Sequence, residues 1–215
     1  MDMKIKQDKV GAILRQAPVV PVMVIDDVKQ AVPLARALVK GGLPVLEITL
    51  RTEAAMDAMK AIMAEVEGAI VGAGTVLTSD QLRQCDKLGC AFAVAPGASG
   101  KLLAAATGHD MPLLPGAVTA SEVMGLMEWG YEYLKFFPAE PAGGTAYLSS
   151  LASPLPQVKF CPTGGITPET APNYLKLPNV ITVGGSWMLP KAKLASNDWA
   201  AIESLSRTAA ALRAP

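Results

Sequence analysis

A lysine lies within a run of apolar residues, where an ammonium group is costly to place. Lys135 is the third residue of Y-L-K-F-F-P at 133–138, a run that predicts a buried strand. An ammonium group that leaves water without a partner loses hydration worth several kcal/mol, so burial favours the neutral amine. A neutral amine is a nucleophile. An alternative stays open here, in which Lys135 pairs with a carboxylate or extends its head group to solvent.

Charged and polar residues alternate at the end of a second apolar run. In E-I-T-L-R-T the alternate positions are Glu47, Thr49 and Arg51. Successive side chains of a strand point to opposite faces, so these three share one face. An internal ion pair between Glu47 and Arg51 would explain them by packing alone. Together with Lys135, however, a carboxylate, a guanidinium and an amine are more typical of a reaction site.

Two later apolar runs end in pairs of glycines. They are Thr163-Gly164-Gly165 and Gly184-Gly185-Ser186. Glycine lets a backbone approach a ligand closely, and exposed N–H groups bind anions, so these ends predict a phosphate site. Two tight turns without a ligand are the alternative. Thr75, which ends G-A-G-T at 72–75, could also hydrogen-bond an anionic ligand, although threonine is an ordinary strand residue.

The elements that position these residues are short apolar runs that alternate with helical segments. The eight candidate strands are 18–25, 45–50, 69–76, 91–96, 111–117, 133–138, 158–165 and 180–186. Segments with helical spacing include 27–40, 54–66, 79–88, 99–107 and 120–129. Continuously apolar strands separated by helices predict a parallel sheet. Right-handed crossovers then leave a closed eight-fold barrel or an open doubly wound sheet.

Strand number and chain length favour the barrel. Eight strand–helix units in 215 residues predict an α/β fold, a (β/α)8 TIM barrel that forms one domain over 1–215. Segment 4–16 predicts an extra N-terminal helix, 198–213 predicts the last helix, and 187–190 could begin a short one. The reacting groups of such barrels stand at the C-terminal ends of strands, as the residues above do. The G-A-G-T run lacks G-x-G-x-x-G spacing, so no nicotinamide or flavin site is predicted.

Composition excludes several classes of function. Lysine plus arginine and aspartate plus glutamate both number 19, and no basic stripe is present, which argues against a nucleic-acid surface. The three cysteines lack C-x-x-C spacing and predict neither a disulfide framework nor a zinc site. A polar N-terminus and the absence of a long apolar stretch predict a protein that is not exported and does not span a membrane. We therefore expect a cytoplasmic protein without a metal or other cofactor.

Five segments together resemble the 2-keto-3-deoxy-6-phosphogluconate (KDPG) aldolase and 4-hydroxy-2-oxoglutarate (KHG) aldolase family. They are G-L-P-V-L-E-I-T-L-R at 42–51, G-A-G-T-V-L at 72–77, K-F-F-P-A-E at 135–140, F-C-P-T-G-G-I at 160–166 and G-G-S-W at 184–187. The similarity extends over nearly the whole chain. The first and third segments are similar to the two signature regions of the family in length, order and spacing.

The resemblance implies a reaction and a set of residues. It implies a class I Schiff-base aldolase of the Entner–Doudoroff route, usually a homotrimer, that cleaves KDPG to pyruvate and glyceraldehyde 3-phosphate. It implies that Lys135 forms the Schiff base and that Glu47 is the acid/base residue. Arg51 and Thr75 are implied as ligands of the pyruvate carboxylate, and Thr163 as the residue associated with stereochemical preference. The implied phosphate ligands are the glycine loops (Gly164, Gly165, Gly184, Gly185) with Ser186.

Two other classes of function remain open on the sequence. A phosphosugar-binding barrel isomerase or epimerase would use Lys135 only to neutralise charge. A metabolite-binding protein would have kept the barrel and lost turnover, but Glu47 and Arg51 are both present. Relatives that act on KHG leave the choice of substrate open.

Overall fold

The computed structural model describes residues 1–212, in which short strands alternate with helices. The strands are β1 (Val19–Met23), β2 (Val45–Thr49), β3 (Ile70–Gly74), β4 (Phe92–Val94), β5 (Leu113–Leu114), β6 (Gly116–Ala117), β7 (Tyr133–Phe136), β8 (Lys159–Pro162) and β9 (Val183–Gly185). The helices are α1 (Met3–Leu14), α2 (Val28–Lys40), α3 (Ala55–Glu65), α4 (Ser79–Leu88), α5 (Gly100–Thr107), α6 (Ala120–Glu128), α7 (Gly144–Ser150), α8 (Ala171–Leu175), α9 (Lys191–Ala195) and α10 (Trp199–Ala210). Every run predicted as a strand contains at least one of these strands, so the predicted alternation is confirmed.

The strands pair in parallel and form a curled sheet. Six strands follow the order β5-β4-β3-β2-β1-β9, and β6, β7 and β8 form a second group. Parallel bridges at Phe160–Val180 and Thr163–Gly184 connect that group with the segment around β9. The structure thus confirms a mixed α/β fold with a curled parallel sheet, as the buried apolar strands indicated. Closure of all strands into one eight-stranded barrel stays a prediction.

A proline divides the fifth predicted strand in two. Strand β5 pairs with β4, β6 pairs with β7, and Pro115 lies between β5 and β6. Proline has no N–H to donate to a neighbouring strand, which interrupts the ladder. Its carbonyl still accepts a hydrogen bond of 2.9 Å from the backbone N–H of Lys135. The interruption therefore moves the chain from one group of strands to the other and fixes the backbone of Lys135.

Buried apolar side chains form two clusters. The smaller one, which we call the inner cluster, joins α1 to alternate positions of the strands and consists of Val10, Ile13, Leu14, Val20, Val45, Phe92, Val94, Leu114, Tyr133 and Cys161. The larger cluster contains the side chains of the other strand face and of the surrounding helices. Helix α1 contacts the start of β7, where the side-chain oxygen of Gln7 accepts hydrogen bonds from the N–H groups of Glu132 and Tyr133. It therefore covers the N-terminal end of the inner face.

Side-chain caps set the ends of several helices. At the start of α4, Thr78 Oγ1 accepts a hydrogen bond from Gln81 N, and the Gln81 side chain accepts one from Thr78 N. This reciprocal arrangement satisfies N–H groups that the first helical turn leaves unpaired. The same helix ends at Gly89, whose φ of 94° suits glycine. These local signals explain why the bounds of α4 were predictable.

The C-terminal region differs in part from its prediction. Residues 187–190 form turns, and α9 begins only at Lys191, after Pro190. The last predicted helix appears as α10, whereas residue 213 of that prediction and the end of the predicted 1–215 domain lie outside the described residues. No helix within residues 1–212 has the length and apolar character that crossing a membrane requires.

Candidate active site

A buried ion pair joins two of the predicted site residues. Lys135 on β7 and Glu47 on β2 meet with 3.1 Å between Nζ and Oε1. Their side chains are only 6% and 4% exposed, so water does not screen the pair. The ring of Phe137 lies 5.3 Å from the ammonium nitrogen and adds a cation–π contact. The pairing that the sequence left open is therefore present, and it places a carboxylate within proton-transfer distance of the amine.

Strand register shows that the face of β7 with Lys135 points inward. In β7, Lys135 pairs with Gly116 on one side and with Cys161 on the other. Cys161 belongs to the inner cluster, which shows that this face of β7 points inward. Burial, reinforced by the negative charge of Glu47, raises the pKa of the Cys161 thiol to about 12. The thiol is therefore neutral at ordinary pH and does not compete with the amine as a nucleophile.

Thr75 adopts a backbone conformation that is unusual for its type. Its φ is 58°, a left-handed value that is strained for a β-branched residue and costs about 1–3 kcal/mol. The chain is held on both sides, because Gly74 O accepts a hydrogen bond from Leu50 N at 2.8 Å and Val76 N donates one to Val94 O at 3.0 Å. The strain lies directly after β3, beside the strand that carries Glu47.

Arg51 and Ser186 line one cavity. Its volume is about 700 Å³, and its lining residues are Val22, Val24, Asp26, Gln30, Leu34, Arg51, Ser186, Leu189, Lys191, Leu194 and Ala195. Both Arg51 and Ser186 are exposed, and within residues 1–212 Arg51 forms no ion pair, in particular none with Glu47. The packing alternative of an internal pair between Glu47 and Arg51 is therefore wrong. The guanidinium is available to an anion in the cavity.

The turn after β8 presents backbone donors. Gly164 and Gly165 have φ values of 104° and 80°, which only glycine adopts easily. The N–H groups of Gly165 and Ser186 have no hydrogen-bond acceptor within residues 1–212. Free backbone N–H groups in such turns can bind an anion. The predicted glycine turns are thus present, with donors unoccupied by the protein.

Close contacts explain the glycine at position 184. Thr163 forms a bridge with Gly184, and a β-carbon at Gly184 would collide with the Thr163 hydroxyl. At position 185 the ring of Trp187 occupies the corresponding space. The glycines of this strand end therefore have a packing reason as well as a possible ligand. Thr163 is buried, and within residues 1–212 its hydroxyl group forms only a long hydrogen bond of 3.4 Å to Cys161 O.

Glu140, for which the sequence predicted no role, supports the first glycine turn through its backbone. Glu140 N donates to Gly164 O at 3.0 Å, and its side-chain oxygen accepts a hydrogen bond of 2.7 Å from Tyr174. Burial and this bond raise the pKa of the Tyr174 phenol, which stays protonated. No local sequence pattern predicts the contact between Glu140 and Tyr174, because the two residues are far apart in the chain. A metal-ligating group of three or more His, Cys, Asp or Glu side chains does not occur within residues 1–212.

Comparison with known proteins agrees with this geometry. A family model described as KDPG and KHG aldolase matches residues 10–205. The KHG/KDPG aldolase of Escherichia coli K12 is 50% identical over 198 residues, which cover 92% of this chain and 93% of the relative.

Two solved structures are similar over almost the whole chain. The KDPG aldolase of Zymomonas mobilis ZM4, solved with 3-phosphoglycerate, superposes with a TM-score of 0.92 at 49% identity and covers 97% of this chain and 98% of its own. The enzyme of Legionella pneumophila, in which pyruvate was captured at low pH as a covalent carbinolamine intermediate, has a TM-score of 0.91 at 42% identity over 93% of this chain and 97% of its own.

Proposed function

The chain belongs to the KDPG and KHG aldolase family, and from this premise we propose that it is a class I aldolase that cleaves KDPG to pyruvate and glyceraldehyde 3-phosphate. The observation that carries the proposal is the buried amine of Lys135, 3.1 Å from the carboxylate of Glu47. An amine forms a Schiff base with a ketone, and a neighbouring carboxylate can move the protons that this reaction requires. The covalent carbinolamine of the Legionella relative supports the same chemistry.

The reaction begins with formation of the imine. Glu47 takes a proton from the Lys135 ammonium, and the neutral amine attacks the C2 ketone of the substrate to form a C–N bond. Glu47 returns the proton to the ketone oxygen, which completes a carbinolamine. Glu47 then takes a second proton from the carbinolamine nitrogen and passes it to the hydroxyl group, which leaves as water. The product is a protonated imine, so the positive charge that began on the lysine now lies next to the bond to be cleaved.

Cleavage and release follow from that charge. The imine nitrogen draws the electrons of the C3–C4 bond, while Glu47 accepts the proton of the C4 hydroxyl, and glyceraldehyde 3-phosphate leaves. The remaining enamine takes a proton at C3 from Glu47. Water then adds to the imine carbon, which releases pyruvate and restores the amine of Lys135. One carboxylate serves every proton transfer.

The two anionic ends of the substrate require separate donors. We assign the carboxylate to Arg51 and Thr75 and the phosphate to Gly164, Gly165, Gly184, Gly185 and Ser186, with Thr163 as the residue that affects stereochemical preference. The free guanidinium of Arg51 and the unpaired N–H groups of the glycine turns support this assignment. Among the assigned residues, Arg51 and Ser186 line the cavity of about 700 Å³, a size that is usual for a small-molecule site, whereas Lys135 and Glu47 do not line it.

We propose KHG as a second and poorer substrate. The Escherichia coli relative is named for both activities, which supports a shared site. KHG ends in a carboxylate instead of a phosphate, so it would make fewer hydrogen bonds with the glycine turns.

The proposal extends to architecture and assembly. We propose that residues 1–215 form one closed (β/α)8 barrel domain with α1 as its extra N-terminal helix, supported by the two bridges that connect β8 with the segment around β9. We also propose a homotrimer, which the exposed side chains of Leu77, Met124 and Trp129 support. Three buried free cysteines support a reducing compartment, the cytoplasm.

Substrate comparison tests the function. Pyruvate release from KDPG and from KHG would be followed with a coupled dehydrogenase, and we expect kcat/KM to be clearly higher for KDPG. Ser186→Ala should raise KM for KDPG about 10-fold, the effect of losing one hydrogen bond to a charged group. Near-equal kcat/KM values for the two substrates, or an unchanged KM in the variant, would contradict the phosphate assignment.

A further inference from the structure

The carboxylate of Glu47 occupies the space in which residue 74 would carry a side chain. A β-carbon at Gly74 would lie 2.6 Å from Glu47 Cγ and 2.9 Å from Cδ, and it would collide with Oε1. These are the three nearest atoms to that position. Carbon atoms that are not bonded to each other pack at about 3.5–4.0 Å, so the carboxylate and a side chain at position 74 exclude each other.

A second glycine of the same strand has a different neighbour. Gly72 lies two residues earlier on β3, and a β-carbon there would collide with the ring of Phe92 in the inner cluster. The two glycines share one face of the strand, since side chains alternate. Gly72 therefore makes room for the core and Gly74 makes room for a carboxylate.

Neither strand can move away to relieve such a collision. Gly74 pairs with Thr49 in the parallel ladder of β2 and β3, and its carbonyl accepts a hydrogen bond of 2.8 Å from Leu50 N. Thr75 follows in its strained conformation. Glu47 is only 3% exposed, so its carboxylate has no solvent to turn into. A side chain at position 74 would have to displace the carboxylate itself.

The atom that needs this space is the atom that bonds the lysine. Glu47 Oε1 accepts the hydrogen bond of Lys135 Nζ, and Oε1 is also the atom nearest to the missing β-carbon. We propose that Gly74 is a positioning residue for the acid/base steps, because its lack of a side chain holds Glu47 Oε1 at the amine. The inference rests on the proposed function, which gives Glu47 its acid/base role.

Gly74→Ala and the matched control Gly72→Ala test the inference. Both variants should melt at a lower temperature than the wild type, because each brings a buried collision. Gly74→Ala should lower kcat for KDPG about 100-fold with little change in KM. Displacing a catalytic group by about 1 Å can lower a reaction rate by about that factor. Gly72→Ala should keep kcat within a few-fold of the wild type.

Two further readouts separate positioning from a general structural defect. The pH profile of kcat should change in Gly74→Ala and not in Gly72→Ala. Exchange of the methyl protons of pyruvate with deuterium, which requires the imine and the base but no cleavage, should slow in parallel with kcat. Borohydride reduction with saturating pyruvate should still label Lys135 in both variants, because the amine is untouched.

A cycle with Glu47→Ala keeps the inference testable if Gly74→Ala folds poorly. Glu47→Ala removes the side chain with which residue 74 would collide. Adding Gly74→Ala to Glu47→Ala should therefore leave the melting temperature unchanged, whereas adding Gly72→Ala should still lower it. An equal cost of Gly74→Ala in both backgrounds, or failure of the double variant to fold, would overturn the inference. So would a kcat loss in Gly74→Ala no larger than that of Gly72→Ala. A wild type that neither cleaves KDPG nor forms an adduct would instead overturn the proposed function.

Discussion

Two lysines are buried within residues 1–212, and they lie at opposite ends of the strands. Lys135 lies near the C-terminal end of β7 and bonds a carboxylate. Lys6 lies on α1, at the N-terminal end, and donates to the carbonyls of Ala106 and Thr107 at 2.8 and 3.0 Å. Those carbonyls belong to the last turn of α5, where the helix dipole favours a cation. The two lysines are similarly buried but have chemically different partners.

The partner, and not burial, distinguishes the two amines. A backbone carbonyl accepts a hydrogen bond but cannot take up the proton, whereas a carboxylate can do both. Burial lowers the pKa of Lys6 below its usual 10.5, although we assign this lysine no part in the reaction. A perturbed pKa therefore does not identify a catalytic lysine by itself. A neighbouring group that can exchange protons is the more informative sign.

The largest expected effect is the loss of the Lys135 amine. Lys135→Arg keeps the positive charge beside Glu47 but provides a guanidinium that stays protonated and forms no imine. We expect kcat/KM for KDPG to fall by more than about 10⁴-fold, measured by pyruvate release. Residual activity near that of the wild type would mean that Lys135, like Lys6, only holds a charge.

The partner of Lys135 should matter next. Glu47→Gln has almost the same shape but accepts no proton, and kcat should fall about 10²- to 10⁴-fold. Borohydride should still trap pyruvate on Lys135, because the amine remains. The outcome that conflicts with this account is an unchanged kcat, which would make Glu47 a counter-ion alone.

Changing the other buried lysine should affect stability and leave catalysis intact. Lys6→Met leaves the carbonyls of Ala106 and Thr107 without their donor, which should lower the free energy of unfolding by about 1–3 kcal/mol. The exposed Lys4→Met on the same helix is the control and should cost no more than about 1 kcal/mol, since its ion pairs lie at the surface. Denaturant unfolding measures both. A large drop in kcat for Lys6→Met would remove the contrast between the lysines.

The smallest expected effect is the pH dependence that Lys6 contributes. Its pKa is lower in the folded state than in the unfolded chain, so between the two values the unfolded chain binds more protons. Lys6 therefore adds stability as the pH rises through that interval toward 10.5. The free energy of unfolding of the wild type minus that of Lys6→Met should grow over this range. A difference that stays constant or shrinks would show that burial does not perturb Lys6.

The sequence predicted the strands and the meeting of Lys135 with Glu47 for a common reason. Apolar runs with strand-like length stand out locally, and C-terminal ends of parallel strands must lie together. The predicted helices between residues 27 and 129 were found for the same reason, since their periodicity and caps are local signals. Helices α7 and α8 are short and carried no such periodicity, so they were not predicted.

Other features depend on contacts that no local pattern encodes. The space that Gly74 leaves for Glu47 and the left-handed conformation of Thr75 both result from the pairing of β3 with its neighbours. Lys6 lies in an ordinary polar helix sequence, and only the position of α5 makes it a buried cap. Arg51 was expected to pair with Glu47 or to share its site, and only the folded chain shows that the two form no ion pair and that Arg51 lines a cavity with Ser186.

Reductive trapping with pyruvate tests the central claim most directly. The protein would be incubated with pyruvate and borohydride, digested, and its peptides analysed by mass spectrometry. We predict one adduct per chain, on Lys135 and not on Lys6, formed in step with loss of KDPG cleavage. An active protein without an adduct, or with its adduct on another lysine, would contradict the account.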